Sequence, residues 1–208
     1  MLNVALPKGR LGNKVYQLFK ELGFEAPEFE DDTRKLVFEN PEKGIRYFLI
    51  KPTDVAVYVA RGAADIGIIG KDSLIESTAD VYELMDLGFG KCKMCVCSPN
   101  WYVDDPAKTL VVATKYPNIA KAYYRSQNRE IDIVKLNGSI ELAPILGMSH
   151  VIVDIVETGG TLRENNLKVD EEIMDLSARV IACKSQYQFK REQIDSILSK
   201  IQGDGEIK

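Results

Sequence analysis

The chain has 208 residues, of which 45% are apolar and 28% charged, an ordinary globular composition able to bury one or two cores. Its formal net charge of -4 excludes a dedicated nucleic-acid binder, which carries an excess of clustered Lys and Arg, so basic residues are read as local sites. No apolar run approaches the length of a membrane span, and Met1 to Lys8 lacks a signal-peptide core, so the expected location is the cytoplasm.

Leu2 to Leu6 reads as a buried strand. Val15, Leu18, Phe19 and Leu22 then fall at i, i+3, i+4 and i+7, one face of a helix that Gly23 ends. Ile45 to Ile50 is the next strand, after which Pro52 and Thr53 start a helix with Val55, Tyr58 and Val59 facing one way. Asp65 to Gly70 reads as a buried strand entering a loop. After Leu87-Gly88-Phe89-Gly90 the pattern restarts with strands around Met94 to Cys97 and at Leu110 to Ala113, and a helix from Pro117 through Tyr124. Ile131 to Leu136 is a further strand, and Ser139 is the expected N-cap of a helix from Ile140. Val151 to Val156 is an apolar strand broken only by Asp154, and Ile194, Ile197, Leu198 and Ile201 mark a closing helix.

This alternation predicts α/β architecture with largely parallel sheets. Two lobes account for it best. Residues 1–88 with 177–208 form a discontinuous first lobe and 89–176 the second, the chain returning between about Lys168 and Ser177. Ligands in such folds bind at the carboxyl ends of strands, in a cleft between lobes.

Cys92, Cys95 and Cys97 lie close together and Cys183 stands apart. In a reducing compartment they read as buried thiols; zinc is disfavoured because Cys95 and Cys97 sit in an alternating strand and no second Cys-x-x-Cys pair occurs. The single histidine, His150, has no obvious Asp or Cys partner and reads as structural, and Trp101 beside Tyr102 as a surface feature.

The segment Val151-Ile152-Val153-Asp154-Ile155-Val156-Glu157-Thr158-Gly159-Gly160-Thr161-Leu162 carries the chemistry. Thr158 to Thr161 can form a concave turn whose converging N–H groups and hydroxyls suit a phosphate monoester. Asp154 and Glu157, at the carboxyl end of the strand, can accept hydrogen bonds from vicinal sugar hydroxyls and favour positive charge developing on the ring. The tetrapeptide alone would read as a simple turn, but an acid inside an apolar run is costly unless partners or ligand satisfy it. Dinucleotide and Walker-type sites are disfavoured: no Gly-x-Gly-x-x-Gly follows the first strand and no Gly-x-x-x-x-Gly-Lys-Ser/Thr occurs.

Asp154 to Gly159 followed by Thr161-Leu162 resembles the donor-binding signature of the ATP phosphoribosyltransferase family. Other blocks agree in order: Leu6-Pro7-Lys8-Gly9-Arg10, Arg34-Lys35-Leu36, Asp54-Val55 with Tyr58-Val59, Gly70-Lys71-Asp72, Ala113 to Pro117, and Gly138 to Pro144. The resemblance covers nearly the whole chain and is to the short form. It implies two lobes similar to type II periplasmic binding proteins and attack by adenine N1 of ATP on C1 of 5-phosphoribosyl 1-pyrophosphate (PRPP). Magnesium would accompany the pyrophosphate. A hetero-oligomeric partner related to histidyl-tRNA synthetase would confer histidine inhibition.

The resemblance assigns Lys8, Arg34 and Lys51 to catalysis, Asp154, Glu157, Thr158, Gly159, Gly160, Thr161 and Leu162 to PRPP, and Lys8, Arg10, Arg34, Asp72 and Lys115 to ATP. Each has a blander reading: Lys8 and Arg10 as a solvated loop pair, Arg34 as surface charge in the run Asp31 to Lys35, Asp72 as a helix cap, Glu141 as an acid favoured by a helix dipole. Two positions depart from the family pattern. Lys51 stands where Arg is common, a point charge in place of a planar fork, and Gly160 where Arg, Asn or Lys is frequent. Two rival readings are a non-catalytic two-lobed solute-binding module and a salvage phosphoribosyltransferase acting on a free nucleobase.

Overall fold

The computed structural model describes residues 1–27, 29 and 34–203; Asp31, Asp32 and Thr33, before Arg34, lie outside the described residues. The chain divides into two compact units, residues 1–90 with 177 onward and residues 91–176. The first stretch forms β1 (Leu2–Pro7), α1 (Arg10–Glu21), β2 (Val37–Asn40), β3 (Ile45–Ile50), a 3-10 turn at Pro52–Asp54, α2 (Val55–Ala60), β4 (Ile66–Gly70), α3 (Lys71–Ser77) and β5 (Val81–Asp86). The second forms β6 (Cys92–Pro99), β7 (Leu110–Thr114), α4 (Pro117–Ser126), β8 (Ile131–Lys135), α5 (Leu142–Ile145), β9 (Val151–Val156), α6 (Gly160–Glu164) and β10 (Leu167–Leu176). The chain then returns to the first unit as β11 (Ala178–Cys183) and α7 (Lys184–Gly203).

In the first unit the strand order is β2-β3-β1-β4-β11-β5. β1 is parallel to β3 and β4, but β2, β11 and β5 pair antiparallel, so the sheet is mixed where the alternation of elements predicts largely parallel. The reason is connectivity: β2 and β3 are joined by a short turn, and β11 enters after the excursion through the second unit. Alternation along β1 sends Leu2, Val4 and Leu6 to one face with α1 and α7, and Ala5 to the other with α2 and α3. Tyr16, Phe19, Phe38 and Tyr47 fill the first face, with Tyr16 stacked on Phe29 at 3.5 Å. On α2 the buried residues are Val55, Ala56 and Val59; Tyr58, expected inward, is exposed. Leu87 and Phe89 pack into the first core, which carries that unit two residues past the boundary read from the sequence.

Asp65 is 2% exposed. Its Oδ2 accepts the Asn3 N–H at 2.7 Å and pairs with Lys190 Nζ at 2.7 Å, and Lys190 also donates to the Met1 carbonyl at 2.9 Å. A buried charge of this kind persists only when paired, and it clamps α7 to the start of β1 and β4.

In the second unit the order is β10-β6-β9-β7-β8, with β7 parallel to β8 and β9 and β6 antiparallel to β9 and β10. The return crossing expected from Lys168 to Ser177 is the edge strand β10. Its exposed Lys168, Asp170, Glu171 and Glu172 and two register shifts against β6 erase the alternation that marks a strand. Ser139 does not cap a helix: it has a φ of 50°, α5 begins at Leu142, and Glu141 precedes it. Cys95 and Cys97 point together into an apolar cluster with Ala113, Ile140, Ile152, Leu162 and Leu167, which accounts for their burial.

Candidate active site

The loop after β9 is built from three constraints. Parallel pairing of Thr114 with Val153 brings the carboxyl ends of β7 and β9 level, and buried Thr114 holds them: its Oγ1 donates to the Val153 carbonyl at 2.6 Å and accepts the Tyr116 N–H at 2.8 Å. Gly159 adopts φ 68°, ψ 11°, the left-handed region, which turns the chain from the strand end into α6. Leu162 is buried in the core of the unit and pins α6 from beneath, so its side chain anchors the loop and does not face a ligand.

Between these constraints lies a cavity of about 260 Å³ lined by Asp154, Glu157 and Thr158 to Leu162, with Glu141 completing the wall. Asp154 is half-buried and its Oδ1 accepts the Ile155 N–H at 2.8 Å; Glu157, Thr158 and Thr161 are exposed. Arg163 closes the turn, its Nη1 donating to the Thr158 carbonyl at 3.1 Å and its N–H to the Gly159 carbonyl at 3.2 Å. The first amides of α6 have no acceptor within the helix, so the turn offers N–H groups and two hydroxyls beside two carboxylates. Such a lining fits a phosphate group joined to a hydroxylated ring. Arg163 and Thr114 are the residues that sequence reasoning passed over; Thr114 was legible only as a hydroxyl at the end of an apolar strand.

The cationic candidates occupy the carboxyl edge of the first unit's sheet. Pro7 pairs with Ile50, and the Lys8 N–H donates to the Ile50 carbonyl at 2.8 Å, so Lys8 and Lys51 leave adjacent parallel strands at the same level. The Leu49 N–H donates to the Leu36 carbonyl at 2.9 Å, which continues the β2–β3 pairing toward Arg34 and brings it into register with Lys51. Along the edge, in the order β2-β3-β1-β4, stand Arg34, Lys51, Lys8 and the turn Gly70-Lys71-Asp72. Lys8, Arg10, Arg34 and Lys51 are exposed, and among the described residues none of them has an ion-pair partner. Unneutralised cations on neighbouring strand ends suit a polyanion.

Gly12 makes this edge possible: a Cβ there would stand 1.9 Å from the Pro7 carbonyl oxygen, so only glycine lets α1 begin so close to the end of β1. Asp72 is not the cap expected of it. Gly70 is the N-cap of α3, and Asp72 lies in the first turn, where the dipole favours an acid, accepting a hydrogen bond from Ser73 Oγ at 3.1 Å. Lys71 is committed to Glu83 at 2.5 Å. Lys115 belongs to the second unit: it follows β7, next to Asp154 by register, with Nζ 5.6 Å from the Tyr116 ring centre. His150 is structural, its Nδ1 accepting the Val111 N–H at 3.0 Å.

Comparison with known proteins agrees with this chemistry. Residues 51–203 match the family described as HisG: ATP phosphoribosyltransferase. The chain is 59% identical over 203 residues to an ATP phosphoribosyltransferase of Brachyspira hyodysenteriae, covering 97% of this chain and 98% of that one. It is 50% identical over 200 residues to one from Clostridioides difficile, covering 95% of each. Among solved structures, the ATP phosphoribosyl transferase (HisG:HisZ) complex from Thermotoga maritima superposes with a TM-score of 0.86 at 35% identity over 98% of each chain. The periplasmic sulphonate-binding protein SsuA from Escherichia coli, at 14% identity and TM-score 0.61 over 96% of this chain and 67% of that one, shares the fold alone.

Proposed function

The chain belongs to the ATP phosphoribosyltransferase family, and from that membership we propose how its residues divide the work. The enzyme transfers the 5-phosphoribosyl group of PRPP to N1 of ATP, giving 1-(5-phosphoribosyl)-ATP and pyrophosphate, the first step of histidine biosynthesis. The bond from C1 to pyrophosphate breaks as adenine N1 attacks with its own lone pair, so the chain has to align two polyanions and stabilise a cationic ring; it needs no strong base.

The loop from Asp154 to Leu162 holds PRPP. Backbone amides of Gly159, Gly160 and Thr161 and the hydroxyls of Thr158 and Thr161 take the 5-phosphate, while Asp154 and Glu157 take the ribose hydroxyls and favour positive charge at C1. The observation carrying this reading is the cavity bounded by those residues, closed by a left-handed Gly159 and anchored by Leu162. Lys8, Arg34 and Lys51 take negative charge on the leaving pyrophosphate and the triphosphate, with Arg10, Asp72 and Lys115 as further ATP contacts.

Magnesium enters as a companion of the pyrophosphate. Such an ion is carried mainly on substrate oxygens with one or two protein carboxylates, a role for which Asp154 and Glu157 in the wall of the loop cavity are placed. The ion, when bound, neutralises leaving-group charge. The chain works in the cytoplasm with a HisZ-like regulatory partner, and the T. maritima complex supports the partner.

Asp154→Asn and Thr161→Ala test the site through pyrophosphate release with ATP as acceptor and adenine as control. Each variant should raise the PRPP KM or lower kcat, and adenine should not replace ATP. Unchanged kinetics in both variants would remove the loop from the site.

A further inference from the structure

The second unit holds another, larger cavity, of about 590 Å³, on the far side of β9 from the PRPP loop. Val151, at the amino end of β9, lines it, whereas the loop follows Val156, so the two cavities are separated by the length of the strand, roughly 17 Å. Nothing in the phosphoribosyl transfer uses it.

Its floor is apolar, from Val96, Leu110 and Val151, and its walls carry Tyr102, Tyr123 and Tyr124. Three carboxylates, Asp104, Asp170 and Glu171, face two cations, Arg129 and Lys168, an excess of one negative charge. Most polar groups hold one another in place. Arg129 Nη2 pairs with Asp104 Oδ1 at 3.0 Å, Lys168 with Asp170 at 3.3 Å, and the Tyr102 and Tyr123 hydroxyls donate to Asp104 and Glu171. The Tyr102 ring lies over His150, their centres 5.9 Å apart.

One group is left over. Tyr124 is only 7% exposed and lines the cavity, and among the described residues its hydroxyl has no hydrogen-bond partner, so it stays open to whatever fills the cavity. Burial holds the Tyr124 phenol in its neutral form by raising its pKa, so it can donate or accept. A pre-shaped cavity with ring walls, an available phenol hydroxyl and spare carboxylate lone pairs is how a small-molecule site is built.

We propose that this cavity binds a small aromatic amine: one ring against the tyrosine walls, a polar acceptor at one end meeting Tyr124 Oη, and a cationic nitrogen at the other meeting Asp170 and Glu171. The excess negative charge rejects phosphorylated molecules, which separates this ligand class from both substrates.

Tyramine, tyrosol and 3-(4-hydroxyphenyl)propionate provide a matched cation, neutral molecule and anion. Titrated into the full chain, binding is read from emission of Trp101, the single tryptophan, which adjoins Tyr102, and independently by calorimetry. Tyramine should saturate at millimolar concentration, tyrosol should bind more weakly, and the propionate should not bind. Tyr124→Phe, which keeps the ring and its burial, should weaken tyramine about tenfold, the loss of one buried hydrogen bond. Asp170→Asn should weaken it as well, and saturating PRPP with magnesium should not displace it. No saturable binding, equal binding of cation and anion, indifference to Tyr124→Phe, or competition with PRPP would each overturn the proposal. None of these outcomes bears on the transferase assignment, which pyrophosphate release measures separately.

Discussion

Gly159→Ala is the sharpest probe of the donor loop. A non-glycine residue at φ 68° carries about 1–2 kcal/mol of backbone strain. The added Cβ would also lie 3.3 Å from Arg163 Nη1, the group that ties down the Thr158 carbonyl, so the arginine has to yield a few tenths of an ångström. The neighbouring Gly160 has no positive φ, and a Cβ there meets only Thr158 Oγ1, at 3.7 Å, which is ordinary contact. If the left-handed turn shapes the phosphate site, 1–2 kcal/mol translates into a PRPP KM roughly 5- to 30-fold higher for Gly159→Ala. Gly160→Ala should stay near the parent value, and Gly159→Asn should fall between, since Asn tolerates this conformation best among side-chain-bearing residues. Initial rates of pyrophosphate release against PRPP concentration, at saturating ATP, give the three values. Equal KM for Gly159→Ala and Gly160→Ala would refute the reasoning.

Lys190→Met should destabilise the chain by about 2–3 kcal/mol, because it strands the Asp65 carboxylate with the Asn3 amide; the value falls below that of a fully buried pair since Lys190 is 25% exposed. Urea unfolding measures it, and Asp65→Asn combined with Lys190→Met should recover part of the loss; an unchanged midpoint for the single variant would contradict the clamp. Gly12→Ala should raise the ATP KM or lower solubility, since the 1.9 Å approach to the Pro7 carbonyl forces α1 and the Lys8–Arg10 turn to move; wild-type kinetics and melting together would argue against that packing. Burial raises the thiol pKa of Cys95 and Cys97, so at pH 8 a thiol reagent should label partly exposed Cys92 ahead of the buried three. Because the folded thiols hold their protons more tightly than the unfolded value of 9.0, this contribution to stability is complete below pH 9 and is lost as pH rises above it. Histidine should inhibit the isolated chain poorly and a complex with the proposed HisZ-like partner well; submillimolar inhibition without the partner would exclude this division.

The α/β class, the β9 strand and the loop after it were legible in the sequence because each depends on local signals: apolar runs of strand length, helical spacing, and glycines and hydroxyls at a strand end. The edge strands were not. β2, β5 and β10 are half-exposed, and bulges in β10 break its period, so nothing local marks them. The mixed sheet was equally hidden, since strand direction follows from which distant segments pair.

Residue identities alone placed Asp154, Glu157 and Thr158 to Thr161 in one site, because they are neighbours along the chain. What only the tertiary structure decided was that Arg34, Lys51 and Lys8, far apart in sequence, share one strand edge, that Leu162 faces inward as an anchor, and that Asp65 is held by Lys190 across 125 residues. Hydrogen-bonded register between distant strands carries that information, and a linear pattern of apolar and polar residues does not contain it.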